Sequence, residues 1–205
     1  MIVFLSDSLG LPRSIPERLK INELYSNRLK KLINSETFCC AAGGATVDKI
    51  VRAITYFDPE EVSCFVLHYG IVDCAPRPTT RFEHIILQRA GISIPSKMDY
   101  LLRKVRNKTF TDQKKFLKMS KYLYDYTKGK CLIVPIANAS YEYEKLLPGI
   151  KKNINIYNDI LQKSFPDRVL PMEFSENDIM SDHHHLTSVG HKKIANNLME
   201  RLSYF

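Results

Sequence analysis

The chain has 205 residues, 44% apolar and 25% charged, with a mean hydropathy of -0.22, a composition that excludes both a disordered chain and a membrane-spanning one. Its five cysteines are an odd number without a C-x-x-C spacing, which argues for reduced residues, and its net charge of +8 raises the question of an anionic partner. The opening MIVFLSDS has no basic lead and no stretch approaches eighteen apolar residues, so neither a secretory signal nor a transmembrane segment is expected; the reading is one cytoplasmic domain, 1–205.

The first apolar run, IVFL at 2–5, reads as a buried strand that breaks at SDSLG, 6–10. Pro16 suits a first helical turn, after which Leu24, Tyr25, Leu29, Leu32 and Ile33 mark one helical face. A second strand at 36–42 leads through Gly43 and Gly44 to Thr46, a plausible N-cap, and to a helix with Val47, Ile50, Val51 and Ile54 on one side. The third strand, 62–69, is followed by GIVDCAPR, 70–77. Helices are predicted at 97–107 and 112–127, a fourth strand at 130–137, a helix at 150–162 and a fifth strand at 168–172. The last helix follows Thr187 and carries Val189, Ile194, Leu198 and Leu202.

This alternation predicts a three-layer α/β/α, flavodoxin-like doubly wound parallel sheet of about five strands. In such a fold ligands bind at the carboxyl ends of strands, which is where Ser6, Asp7 and Ser8 leave the first one. Cys39, Cys40, Cys64 and Cys131 fall in runs read as buried strands; Cys74 falls in a predicted loop and is given a structural role.

Between Lys97 and Lys130 stand eleven Lys or Arg residues against only Asp99, Asp112 and Asp125. The plain reading is a solvated helix surface; the sharper ones are an acidic glycan, an anionic membrane surface or nucleic acid. Tyr122, Tyr124 and Tyr126 are expected on different helix faces and not as a base-stacking platform, which counts against nucleic acid.

A serine attacks a carbonyl only if a base takes its proton, and the base needs a partner that fixes its tautomer. SDHHHLTSVGH, from Ser181, supplies both: Asp182 and His185 are three apart, just before the final helix. Taken with SDSLG, AAGGATVDKI at 41–50, GIVD at 70–73 and DHHH at 182–185, the chain resembles the Ser-Gly-Asn-His, or GDSL-type, hydrolases, whose four motif blocks occur in this order. That resemblance implies Ser8 as nucleophile, His185 as general base, Asp182 as its orienter, and the amides of Ser8 and Gly44 as oxyanion donors. It implies no cofactor, and an acid at Asp73 supports the site.

Two positions depart from the family pattern. Ser6 replaces the glycine before Asp-Ser, and Val72 stands where the family carries the asparagine that completes the oxyanion hole. Losing one such donor costs on the order of 100- to 1000-fold in rate. Arg77 is the candidate replacement donor or a clamp on an acidic substrate group, and His68 a weaker one. His183 and His184 are read as facing solvent or substrate, and His191 as packing or surface. Adjacent histidines point in different directions and no matching ligand set occurs, so no metal is expected.

The reading is a serine esterase removing an acyl group, foremost O-acetyl, from a carbohydrate-type substrate, with a pH profile rising near neutrality as the imidazole loses its proton. The alternatives are an O-acyltransferase of bacterial surface polysaccharides using the same site, and a degenerate or phosphate-binding flavodoxin-like module without turnover.

Overall fold

The structure is a computed structural model and describes residues 1–33 and 35–203, with Arg81 by its backbone alone. Four parallel strands run β1 (Ile2–Ser6), β2 (Thr37–Ala41), β3 (Cys64–His68) and β4 (Cys131–Ile133), in the order β2-β1-β3-β4. The helices are α1 (Tyr25–Leu32), α2 (Val47–Ile54), α3 (Ile71–Cys74), α4 (Arg81–Arg89), α5 (Ser96–Arg106), α6 (Gln113–Tyr126), α7 (Tyr141–Leu146), α8 (Ile150–Ser164) and α9 (Ser188–Leu202). α1 packs with α9, while α2, α6 and α8 pack in succession. Parallel strands demand this arrangement, because every connection must cross the sheet and covers it with a helix.

The central strands β1 and β3 are buried at every position, which is why IVFL and CFVLH show no polar alternation. One apolar cluster extends from Ile2 to Leu198. β2 lies at the edge, so Cys39 is exposed and Cys40 half-buried, against the expectation that both are core. Cys64 and Cys131 are buried as expected, and Cys74 is buried in α3 and not in a loop.

The fifth expected strand reduces to one parallel bridge, Ile133 to Val169, with two backbone hydrogen bonds before Pro171 ends it. Pro135 likewise stops β4 after three strand residues, since proline has no N–H to give to a ladder. Pro16 opens no helix; Arg13 and Leu19 pair in an antiparallel bridge, and the first helix starts at Tyr25. α4 and α7 are helices that hydrophobic periodicity did not reveal. Tyr122 and Tyr126, four apart on α6, share a face with ring centroids 6.1 Å apart, as i,i+4 spacing requires; only Tyr124 points elsewhere, onto Phe165.

Candidate active site

Ser8 begins a single 3-10 turn, Ser8–Gly10, at the carboxyl end of β1. Asp7 fixes that turn: its Oδ1 accepts the Leu9 amide at 2.9 Å, and its own amide donates to the His68 carbonyl at 3.1 Å. Asp7 is fully buried and its Oδ2 has no partner among the described residues, and burial pushes its carboxyl up to about 7.

The opposite end of the chain returns to this edge. A 3-10 turn, Glu176–Asp178, leads into the loop that precedes α9. Thr187 caps α9 by accepting the Gly190 amide at 3.2 Å, and its own amide donates to the Asp178 carbonyl at 2.9 Å. A Cβ at residue 190 would lie 2.4 Å from that carbonyl oxygen, so only glycine lets the helix start so close to the turn. The loop closes through the Met180 amide on the His185 carbonyl at 2.7 Å and a bridge between Ile179 and Leu186.

Within this frame Ser8 Oγ lies 3.2 Å from His185 Nε2, and His185 Nδ1 lies 2.6 Å from Asp182 Oδ2. Asp182 Oδ1 accepts the amides of His184 at 3.2 Å and His185 at 3.0 Å. An imidazole nitrogen facing a carboxylate carries the proton, which leaves Nε2 as an acceptor for the serine hydroxyl. Burial, opposed by the hydrogen bond to Asp182, lowers His185 to about 4, well below the neutral range expected from sequence. For Asp182 burial works upward, but the His185 ring and amide and the charge of His184 together hold it below the usual carboxylate range.

Next to this chain of contacts lies Arg13, whose Nη2 donates to the Ser8 carbonyl at 2.8 Å and whose charge contributes to lowering His185. No sequence signal marks Arg13, which sits in an irregular segment. His183 and His184 are half-buried. They stack on Tyr143, with centroids at 6.3 and 5.8 Å, so both are packed against α7 instead of standing free in solvent. His191 is buried, accepting the Tyr25 amide at 3.1 Å.

The donor atoms of Asp182, His184 and His185 lie within 4.8 Å of one another. Those atoms are already engaged, since His184 Nδ1 faces the Asp182 carbonyl at 3.0 Å and His185 Nδ1 its carboxylate. A cation there would have to break the Asp182–His185 bond, so the residues do not fit a resident metal.

The remaining predicted residues are placed unequally. Gly44 follows Ala42, whose amide donates to the Ser6 carbonyl at 3.1 Å, so the glycine turn lies beside the exit of β1; Gly44 has φ +63. No acceptor among the described residues takes the amide hydrogens of Ser8 or Gly44. Asp73 is fully buried and accepts the Val47 amide at 3.1 and 3.0 Å and the Thr111 hydroxyl, fastening α2 and the loop before it. Burial raises its carboxyl to about 6. Val72 is half-buried against the core and offers no polar atom.

Arg77 makes no hydrogen bond to Ser8 or His185 among the described residues. Its guanidinium lies 4.1 Å over the Phe110 ring, and it lines a cavity of about 410 Å³ with Thr79, His84, Asp99 and Arg103. His68 is buried in the core with its ring 5.6 Å from that of Tyr25. Neither therefore replaces the family asparagine through a contact present here. A second cavity, about 570 Å³, flanks the loop and is lined by Asn138, Ser140, Glu142, Ser175, Ser181 and His183 among others.

No protein-family model matches the chain, and no curated protein does either. Solved structures do. The lipase/acylhydrolase from Enterococcus faecalis aligns with a TM-score of 0.63 at 12% identity, over 98% of this chain and 94% of that one. Phospholipase A1 from Streptomyces albidoflavus NA297 gives 0.62 at 12% identity, over 98% of both chains. A member of the lipolytic protein G-D-S-L family from Veillonella parvula DSM 2008 gives 0.56 at 14% identity, over 97% and 96%. At these identities the likeness is one of fold.

Proposed function

We propose that this chain, which has the fold of the SGNH/GDSL-type hydrolases, is a serine ester hydrolase using Ser8, His185 and Asp182. The contact between Ser8 Oγ and His185 Nε2, contributed by residues 177 apart in sequence, carries the proposal. His185 Nε2 takes the hydroxyl proton as Ser8 Oγ attacks the ester carbonyl. The carbonyl electrons move to an oxyanion held by the amides of Ser8 and Gly44. Collapse breaks the ester C–O bond, the imidazolium gives its proton to the leaving alcohol, and water then repeats the sequence on the acyl-serine. Asp182 holds the Nδ1–H tautomer throughout, and Asp73 positions the glycine loop through Val47. With Val72 in place of an amide side chain, the oxyanion rests on backbone donors.

The substrate we infer is a short-chain ester, foremost an O-acetyl group, on a hydroxyl-rich molecule. Among the residues lining the two cavities neither Ser8 nor His185 occurs. The 570 Å³ cavity beside the loop combines Asn138, Ser140, Glu142 and Ser175, whose polar groups suit sugar hydroxyls, with Phe174, Ile179 and Met180, which suit an apolar face of the substrate. The continuous core from Ile2 to Leu198 supports treating the chain as one catalytic domain.

A serine-directed fluorophosphonate tests the nucleophile. Wild type is labelled, while Ser8→Ala and His185→Ala are not, and both lose hydrolysis of aryl acetates. Labelling that survives Ser8→Ala overturns the proposal.

A further inference from the structure

The hairpin formed by α4 and α5 is built unlike the rest of the molecule. Neither helix has a buried residue among those described. On α4, Phe82, Ile85 and Ile86 are exposed, and on α5, Met98, Leu101 and Val105; Phe82 and Val105 stand 72% and 73% open. Spacings of three and four place each set on one helical face. The opposite side is the one tied to the body. Leu87, Asp99 and Arg103 line the 410 Å³ cavity, Arg103 donates to the Pro76 carbonyl at 2.5 Å, and Arg106 to the Pro78 carbonyl at 3.1 Å.

The basic residues divide in the same way. Arg103 pairs with Asp99 at 2.5 Å and Arg106 with Glu83 at 2.7 Å. Lys97 and Lys104, which run beside the apolar stripe of α5, have no ion-pair partner among the described residues, nor have Lys108, just beyond the end of α5, and Arg89 at the end of α4. Exposed apolar side chains gathered on one face mark an interaction site. A border of unpaired cations on long aliphatic stems fixes its chemistry, since the stems lie along apolar surface while the charges reach outward. An acidic glycan would use the cations and leave the apolar stripe in water.

We propose that the α4–α5 hairpin is a docking surface for an anionic lipid bilayer: the apolar stripe enters the boundary between headgroups and acyl chains, and Arg89, Lys97, Lys104 and Lys108 meet lipid phosphates. No helix among the described residues is long and apolar enough to cross a membrane, so the attachment is peripheral.

Flotation of the full chain with vesicles tests this, using phosphatidylcholine alone and phosphatidylcholine mixed with phosphatidylglycerol. Wild type floats with the mixed vesicles and stays behind with neutral ones. The K97E/K104E/K108E variant loses partitioning by about a hundredfold or more, and M98S/L101S/V105S by about tenfold or more. Both keep wild-type hydrolysis of a soluble aryl ester, the readout of folding; Val105→Glu alone is the minimal variant should a triple substitution fail it. Three results overturn the proposal: no flotation with anionic vesicles at low salt; flotation indifferent to the serine substitutions; or a solution dimer that M98S/L101S/V105S dissociates, which would make a second copy the occupant. Retention on dextran sulfate that ignores the serine substitutions, without flotation, would assign the surface to an acidic polymer instead.

Discussion

The loop from Asp178 to His191 and the hairpin from Arg81 to Arg106 are both excursions from the sheet, and they are ordered by opposite means. In the loop the groups around His185 are committed: Asp182 accepts two amides and an imidazole, and Thr187 and Met180 close the frame through the backbone. The hairpin reaches the body through guanidinium contacts with two proline carbonyls and sends its apolar side chains outward. Committed polar contacts hold a reacting geometry to fractions of an ångström; an uncommitted amphipathic face adapts to whatever covers it. The contrast separates the proposed catalytic loop from the proposed docking surface.

The largest effect that can break this contrast is on turnover. Asp182→Asn removes the carboxylate that fixes the His185 tautomer, and kcat for an aryl acetate is expected to fall on the order of 1000- to 10,000-fold with KM little changed. Full activity in Asp182→Asn would mean that the loop does not position the base. A second comparison uses glycine in each region. Gly190→Ala drives a Cβ against the Asp178 carbonyl, 2.4 Å away, and should cost about 3 kcal/mol in urea unfolding while displacing His185. Gly91, between the hairpin helices, has φ +67 but open space around it, so Gly91→Ala should cost only about 1 kcal/mol, the price of the backbone conformation alone. Equal midpoints would show that the loop is not held tightly at Asp178.

What could be read in the sequence follows the same division. That Ser8, His185 and Asp182 meet was legible because SDSLG and DHHH stand at a strand end and a helix start that a parallel sheet brings to one edge, and the parallel sheet because IVFL and CFVLH lack polar alternation. Edge position was not, as the exposure of Cys39 depends on which strands lie beside β2, and TFCCA carries no mark of that. The expected fifth strand shrinks to a bridge because Pro171 has no N–H to continue the ladder that the apolar run suggests. α4 does have a signal, the Thr80-x-x-Glu83 capping box, formed here with the Glu83 amide on Thr80 at 3.2 Å and the Thr80 amide on Glu83 at 2.7 Å. Phe82, Ile85 and Ile86 also stand at helical spacing, so α4 carries an apolar signal as well, short enough to pass for a loop. Arg13 had none: a lone arginine in an irregular segment acquires meaning only when a distant loop folds onto it.

The smallest expected effect concerns pH, and its sign follows from His185. Burial lowers this imidazole to about 4, and only the neutral ring can accept the Ser8 proton. kcat/KM should therefore be flat through neutrality and fall about tenfold for each pH unit below the folded pKa. Stability has its own dependence: the unfolded chain takes up a proton near 6.5 that the folded site refuses until about 4, so this residue's contribution is present above 6.5 and is lost as pH falls between those values. Urea midpoints measured at each pH separate that loss from the kinetic limb. Replacing Arg13 by Gln removes a nearby positive charge and should move the limb upward, whereas Asp182→Asn removes the anion that favours the charged ring and should move it downward. A limb at 6.5 in wild type would mean that His185 titrates as a solvated imidazole, which is incompatible with a base screened from water beside Ser8.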